Sequence, residues 1–324
     1  MTQSAVLVAG GAGYVGSHTC KALARAGRLP VVLDNLSQGH RAFVPWGPLI
    51  EGDIRDRVLV ERTVREHRIG AVVHLAAFAC VGESMRDPGK YFDNNVAGSL
   101  ALLDALQRCG VDHIVFSSTC ATYGVPESLP IGDRHAQRPA NPYGESKLFV
   151  ERALRWYGTA HGLRSVALRY FNAAGADPEG ELGEEHDPET HLIPLAIGAA
   201  LGRRGPLEIY GNDYPTPDRT AVRDYVHVTD LAEAHVRALE YLDAGGESSA
   251  FNLGTGRGYS VREVVAAVER IAGRELPRRE CAPRPGDPAI LVAEPGHSRA
   301  RLGWRPRHSD LDTMIATAWR WHTR

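Results

Sequence analysis

The chain opens on five small apolar residues, Ala5-Val-Leu-Val-Ala9. They run into Gly10-Gly-Ala-Gly13-Tyr14-Val15-Gly16 and then Ser17-His-Thr-Cys-Lys-Ala-Leu-Ala. The apolar run reads as a parallel strand buried on both faces. Gly10 permits the tight turn that leaves it, Gly13 lets the backbone approach a pyrophosphate, and Gly16 lets the next helix pack close to the sheet. Phosphates bind at the N-terminus of such a helix, where free N–H groups and the dipole favour an anion. The spacing here is Gly-x-x-Gly-x-x-Gly, not Gly-x-Gly-x-x-Gly, so the context has to carry the reading. Pro30-Val-Val-Leu-Asp34 reads as a second strand, and Asp34 lies 18 residues after Gly16. An acid there hydrogen-bonds a ribose 2′-hydroxyl and repels a 2′-phosphate, so the predicted cofactor is NAD, not NADP.

Strand and helix patterns alternate through the first half. A short strand is predicted near Leu49-Ile-Glu51, a helix over Val58–Glu66 and a strand over Ala71–Leu75. A helix over Val96–Gln107 and a strand over His113–Ser117 follow, then a helix from about Pro142 to Ala160 and a strand over Ser165–Arg169. Such alternation predicts an α/β fold, a doubly wound parallel sheet of the Rossmann type with helices on both faces. Ligands bind beyond the carboxyl ends of such strands. Gly10, Asp34, Asp53, Ala76, Ser118 and Tyr170 follow the predicted strands and are expected to ring one crevice. Residues 1–170 are therefore expected to form an NAD-binding domain, completed by about 225–250. Residues 171–324 are expected to form a smaller, interleaved, mixed α/β substrate-binding domain. Phe171–Arg223 is rich in loop signals. Tyr225–His235 reads as a strand, a cap and a helix, and Val261–Ala272 as an amphipathic helix.

Composition narrows the classes. The 324 residues carry a formal net charge of −2, so no polyanionic partner and no nucleic acid is expected. No apolar run reaches membrane-spanning length, and the N-terminus enters a core strand directly, so no membrane association and no signal peptide are expected. The five cysteines (20, 80, 109, 120 and 281) include no Cys-x-x-Cys pair. They predict neither a disulfide framework nor a zinc site, and a reduced cytoplasmic protein with no metal is expected.

The reactive groups lie in Asn141-Pro-Tyr143-Gly-Glu-Ser-Lys147. Tyr143 and Lys147 are four residues apart and share one helix face, and Pro142 suits the first turn. An ammonium near a phenol favours the phenolate, and a tyrosine so tuned exchanges a proton near neutral pH. The upstream strand ends in Ser117-Ser-Thr119, which offers a hydroxyl to share the hydrogen bond to a reacting oxygen. A tyrosine and lysine at this spacing usually mark only an ordinary helix face. Downstream of a dinucleotide fingerprint and a hydroxyl-bearing strand end, they fit hydride transfer from a secondary alcohol to NAD.

Ordered blocks along nearly the whole chain then become specific. They are residues 10–19, Asp-Asn-Leu-Ser (34–37), Glu-Gly-Asp-Ile-Arg (51–55), Val-Gly-Glu-Ser (81–84) and Asn-Asn-Val (94–96). Further blocks are Ser-Ser-Thr-Cys-Ala-Thr-Tyr-Gly (117–124), residues 141–147, Leu-Arg-Tyr-Phe-Asn-Ala-Ala-Gly (168–175) and Val-Arg-Asp-Tyr-Val-His-Val (222–228). The last are Asn-Leu-Gly-Thr-Gly (252–256) and Pro-Gly-Asp (285–287). The chain resembles the extended short-chain dehydrogenases/reductases, and most of all the UDP-glucose 4-epimerase family. The resemblance implies tightly held NAD, oxidation of the sugar at C4, rotation of the 4-keto sugar while UDP stays anchored, and return of the hydride to the other face. Thr119, Tyr143 and Lys147 would be catalytic. Cofactor contacts would come from Gly10, Gly13, Tyr14, Val15, Gly16, Asp34, Asn35, Asp53, Ile54, Leu75, Asn95, Ser117 and Tyr170, besides Tyr143 and Lys147. UDP-sugar contacts would come from Asn172, His191, Leu192, Tyr210, Arg223, Arg284, Asp287 and Leu291, besides Thr119 and Tyr143. A cation fork fits a diphosphate. The family habit is a homodimer through helices of the first domain.

Two positions depart from the pattern. Arg219 stands where the family usually has glycine. Leu291 holds the position gating the far side of the sugar pocket, where tyrosine is associated with excluding N-acetyl sugars and a small residue with admitting them. A 4-epimerase for UDP-xylose/UDP-arabinose, UDP-glucuronate or a UDP-N-acetylhexosamine shares every motif. A dehydratase needs an acid beside the strand-end hydroxyl, and here Cys120 and Ala121 follow Thr119. A non-catalytic NAD-binding regulator would be expected to lose Tyr143 or Lys147.

Overall fold

The computed structural model describes residues 4–284 and 287–324. Seven parallel strands form its main sheet. They are β1 (Ala5–Ala9), β2 (Leu29–Asp34), β3 (Leu49–Glu51), β4 (Ile69–His74), β5 (His113–Thr119), β6 (Arg164–Tyr170) and, from the second half of the chain, Ser249–Leu253. The last is β11, because β7 (Asn172–Ala174), β8 (Leu207–Tyr210), β9 (Val222–Arg223) and β10 (Tyr225–His227) precede it. The order across the sheet is β11-β6-β5-β4-β1-β2-β3.

Alternation of side chains assigns the two faces. Val6, Val8, Val32, Val73 and Val115 meet the Tyr14–Arg25 and Val228–Asp243 helices on one face. Leu7, Val31, Leu33, Val72 and Phe116 meet the Arg57–His67, Gly98–Arg108 and Pro142–His161 helices on the other. Every strand of the sheet centre is thus apolar on both sides, as its continuous Val/Leu/Ile runs require. The strand order reverses at β1, which pairs with β2 on one edge and β4 on the other. That reversal opens a crevice at the carboxyl ends.

The remaining chain packs a second core. The Leu192–Ala200, Val261–Ala272 and Leu311–His322 helices bury Ile193, Ile197, Val264, Val268, Met314 and Ile315 together. Short strands complete it. β8 pairs with β13 (Arg278–Cys281), and β9 lies between β12 (Tyr259–Ser260) and β14 (Ile290–Leu291). Ser260 and Glu263 close a capping box that fixes the start of the Val261–Ala272 helix.

Candidate active site

A cavity of about 1050 Å³ runs along the carboxyl ends of the sheet and continues under the second half. Gly10 and Gly16 are required there by the protein's own packing. A Cβ on Gly10 would lie 2.5 Å from the Ala76 nitrogen, and one on Gly16 would lie 2.1 Å from the Gly10 carbonyl oxygen. Gly13 differs: a Cβ there would meet only the Gly10 oxygen, at 3.6 Å. Its smallness leaves room on the cavity side, as close approach of a pyrophosphate needs. No side chain caps the helix that begins at Tyr14, so its first-turn N–H groups remain available to an anion. Asp34 ends β2 beside this turn and accepts from the backbone N–H of Ala12 at 2.9 Å and of Leu36 at 2.8 Å. Arg55 donates to Asp53, and that pairing holds the carboxyl down at about 2; Asn35 donates to the same carboxylate at 3.1 Å. A glycine cradle, an uncapped helix start and an acid at the second strand end fit NAD.

The reactive pair is set by local backbone chemistry. Asn141 caps its helix by accepting from Gly144 N–H at 2.8 Å, and Pro142 fills the first turn. A Cβ on Gly144 would lie 2.5 Å from the Ala121 carbonyl oxygen. Glycine there lets the helix press against the turn after β5 and brings Tyr143 to Thr119. Both are buried, and both line the cavity. Lys147 is buried one turn later. Its Nζ lies 6.0 Å from the centre of the Tyr143 ring and donates to the Ser117 carbonyl at 2.9 Å.

Burial acts on both groups against the sequence expectation of a lowered tyrosine. It raises the Tyr143 phenol well above its ordinary value and lowers the Lys147 ammonium to about 7. Each group alone avoids its charge, but together they offset one another. At about 6 Å and an effective dielectric of 20 the attraction is ~3 kcal/mol, roughly a hundredfold in an acid constant. The lysine therefore favours the phenolate but does not by itself outweigh its burial.

Most predicted residues come together here. Gly10, Gly13, Tyr14, Val15, Gly16, Asp34, Asn35, Asp53, Ile54, Leu75, Thr119, Tyr143 and Tyr170 line the sheet side. Asn172, His191, Leu192, Tyr210, Arg223, Arg284, Asp287 and Leu291 line the other. Asn95, Ser117 and Lys147 stand one layer behind the wall. The Asn95 amide binds both the N–H and the carbonyl of Phe78, and Ser146 as well. The Ser117 hydroxyl lies 2.5 Å from that of Tyr170. Ser118 does not reach the crevice, contrary to expectation. β5 runs on to Thr119, so alternation turns Ser118 to the opposite face, where it donates to Glu151 at 2.5 Å. Of the Pro-Gly-Asp block, Pro285 and Gly286 lie outside the described residues. Asp287 pairs with Arg223 at 2.6 Å, and the Arg284 guanidinium stacks 4.1 Å from the Tyr210 ring centre.

Sequence reasoning missed several contributors. Asp224 is fully buried and accepts from Thr255, Gly256 and Ala293, tying the loops around Arg223 and Leu291. A carboxylate next to Arg223 gave no separate signal. Arg204 and Phe78 line the cavity without a motif. Glu184, His186 and Glu189 gather beside His191. Their Glu-x-His-x-x-Glu-x-His spacing is legible in the sequence but matches no cysteine-based pattern.

Comparison with known proteins agrees with this geometry. The NAD dependent epimerase/dehydratase family matches residues 6–254. A UDP-glucose 4-epimerase of Rhizobium leguminosarum bv. trifolii is 54% identical over 324 residues, covering 100% of this chain and 99% of the relative. The crystal structure of a Brucella ovis UDP-glucose 4-epimerase in complex with NAD superposes with a TM-score of 0.96 at 55% identity, covering 98% of each chain. The enzyme of Stenotrophomonas maltophila, solved with NAD and formylated UDP-arabinopyranose, gives 0.95 at 40% identity, covering 99% of this chain and 98% of that one. With an uncapped glycine turn, a buried tyrosine–lysine pair and relatives matched end to end, this chain belongs to the NAD dependent epimerase/dehydratase family, among its UDP-glucose 4-epimerases.

Proposed function

We propose that this cavity interconverts UDP-glucose and UDP-galactose by NAD-dependent 4-epimerisation through a 4-keto sugar. The observation that carries the assignment is that the buried Tyr143 and Thr119 line the same cavity as the glycine turn. Bound NAD supplies a hydride acceptor and donor at C4. Tyr143 takes the proton of the sugar 4-hydroxyl and later returns it. Thr119 shares the hydrogen bond to that oxygen and keeps it aligned. Lys147 lends its charge to the phenolate from behind the wall. Arg223 and Arg284 hold the diphosphate and Asn172 the sugar-proximal backbone, so the ring turns while the nucleotide stays fixed. Asp34, Asn35 and Asp53 hold the adenosine end of NAD.

The chain divides between these tasks. Residues 1–170, with the helix and strand supplied by about 225–250, form the cofactor unit. The rest of 171–324 forms the substrate unit. A homodimer in the cytoplasm is the expected state. Phe92, Phe149 and Trp156 are 42%, 45% and 72% exposed on helical segments of the first unit, and Phe149 and Trp156 lie seven residues apart on one helix face. Trp156→Glu should give a monomer by light scattering, and an unchanged mass would remove this face from the interface.

The function is tested by incubating the purified protein with UDP-glucose, UDP-xylose, UDP-glucuronate and UDP-N-acetylglucosamine and separating the 4-epimers. UDP-galactose from UDP-glucose is the expected leading product. Faster turnover of another member would move the assignment to that sugar. Denatured protein should release NAD, and release of NADP would contradict the reading of Asp34.

A further inference from the structure

The loop that leads into the Leu192–Ala200 helix carries donors that the reaction above does not use. Glu184, His186, Glu189 and His191 face one another within eight consecutive residues, Glu184 buried and His191 exposed, and one donor atom of each lies within 4.8 Å of all the others. His191 Nδ1 is 2.8 Å from Glu184 and 2.9 Å from Glu189. His186 Nδ1 is 3.1 Å from Glu184 and 3.7 Å from Glu189. Donors bound at 2.0–2.1 Å around one tetrahedral ion stand roughly 3.4 Å apart; three of these four separations fall short of that edge and one exceeds it.

Two further features point beyond an ordinary ion-pair cluster. His186 Nδ1 is shut off from solvent beside a carboxylate oxygen but is not aligned for a hydrogen bond to it. A nitrogen close to an acceptor and directed past it is placed for a third atom between them. The loop is also anchored from both sides. A Cβ on Gly183 would lie 2.2 Å from the Trp321 ring, and the Glu185 carbonyl lies 2.8 Å from His40 Nε2 of the first unit. The donors are therefore held in place, and the Glu184 side chain is only 5% exposed.

We propose that Glu184, His186, Glu189 and His191 bind one divalent transition-metal ion, with zinc the best match. Two imidazoles and two carboxylates in tetrahedral array suit zinc, while magnesium and calcium want six or more oxygens. Four protein ligands close the coordination shell, so the ion is structural. It cancels two carboxylate charges at the edge of a cavity built for an anion. It also pins the loop that presents His191 and Leu192, and both imidazoles bind through Nδ1, which leaves His191 Nε2 for the cavity.

The proposal is tested on the NAD-loaded protein, dialysed against chelator and reloaded with Zn²⁺ alone. After desalting, elemental analysis should find about one zinc per chain, and the melting temperature should rise by roughly 4 °C. Co²⁺ in its place should give visible absorption of tetrahedral strength. His186→Ala and Glu189→Gln should each weaken zinc binding at least ~10–100-fold, with NAD content and circular dichroism confirming that the variants fold. No zinc retained by the unaltered protein, or equal zinc retained by both variants, would overturn the site. Neither result depends on turnover, so loss of the metal site would leave the epimerase reading standing.

Discussion

The two walls of the cavity are built on different principles. The cofactor wall is a row of strand ends from one parallel sheet, and its contacts come largely from backbone: the glycine turn, an uncapped helix start, the carboxylate of Asp34 on two N–H groups. The substrate wall is assembled from short strands and loops between Asn172 and Leu291. It is held by side chains gripping one another, Arg223 on Asp287 and Arg284 on Tyr210. A wall made of backbone tolerates little change and serves one cofactor. A wall made of side chains is altered residue by residue, which is how one reaction serves several sugars.

The contrast predicts that damage to the first wall stops chemistry, while damage to the second changes preference. The largest effect should come from Tyr143→Phe. Losing a general base typically costs ~10²–10⁴ in rate. UDP binding measured by calorimetry should survive, because its proposed contacts lie on the other wall. Turnover near that of the unaltered enzyme would remove Tyr143 from the mechanism, and loss of UDP binding would break the division between the walls.

Lys147→Ala comes next. Lys147⁺ stabilises the phenolate, so removing it raises the tyrosine's pKa and moves the rising limb of kcat/KM to higher pH. The field estimated at ~3 kcal/mol sets the loss near neutral pH at ~100-fold. Activity should recover in part as the pH is raised. An unmoved profile with retained rate would show that the cation does not act through Tyr143.

On the substrate wall Leu291 is the sharper probe. It lines the cavity and also packs against Cys120, Tyr123 and Phe171. If it gates the sugar, Leu291→Tyr should penalise UDP-N-acetylgalactosamine against UDP-galactose by a steric term of roughly 1–3 kcal/mol, or about 10–200-fold in kcat/KM. Leu291→Ser should shift the ratio the other way. A constant ratio across the three proteins, with lower thermal stability in both variants, would assign Leu291 to packing alone.

The same contrast governed what could be read from sequence. Glycine spacing, apolar runs and Pro142 in a first helical turn are local signals, and they located the main strands and the 142–161 and 261–272 helices closely. Failures came where three dimensions decide. Ser118 was misplaced because β5 runs two residues further than the apolar pattern, and alternation reverses its face. The π-helical stretch Phe92–Ala97, which seats Asn95, keeps a helical composition and differs only in its hydrogen bonding. The tyrosine's raised pKa reflects burial, a property of the fold and not of the Tyr-x-x-x-Lys spacing. The substrate wall was legible only through resemblance, since single arginines and leucines in loops carry no period.

The smallest expected effect tests backbone strain, which both walls carry at a non-glycine residue. Leu36, beside Asp34 in the cofactor wall, has φ +58°, and Arg219 has φ +66°, both in the left-handed region. The Arg219 turn is closed by its own backbone. Its N–H donates to the Thr216 carbonyl at 3.1 Å, and its carbonyl accepts from Tyr214 at 3.2 Å. The side chain is exposed, so a substitution there should change backbone energetics and little else. An L-residue in this region costs roughly 1–2 kcal/mol, while glycine loses about 0.5–1 kcal/mol more in chain freedom on folding. Arg219→Gly should therefore stabilise the protein by a net ~0.5 kcal/mol, read as a higher denaturant midpoint at unchanged slope. KM for UDP-glucose should stay within twofold, because the turn keeps its hydrogen bonds. A lower midpoint would mean that the guanidinium contributes a contact worth more than the strain it imposes. A raised KM would place residue 219 in substrate binding after all.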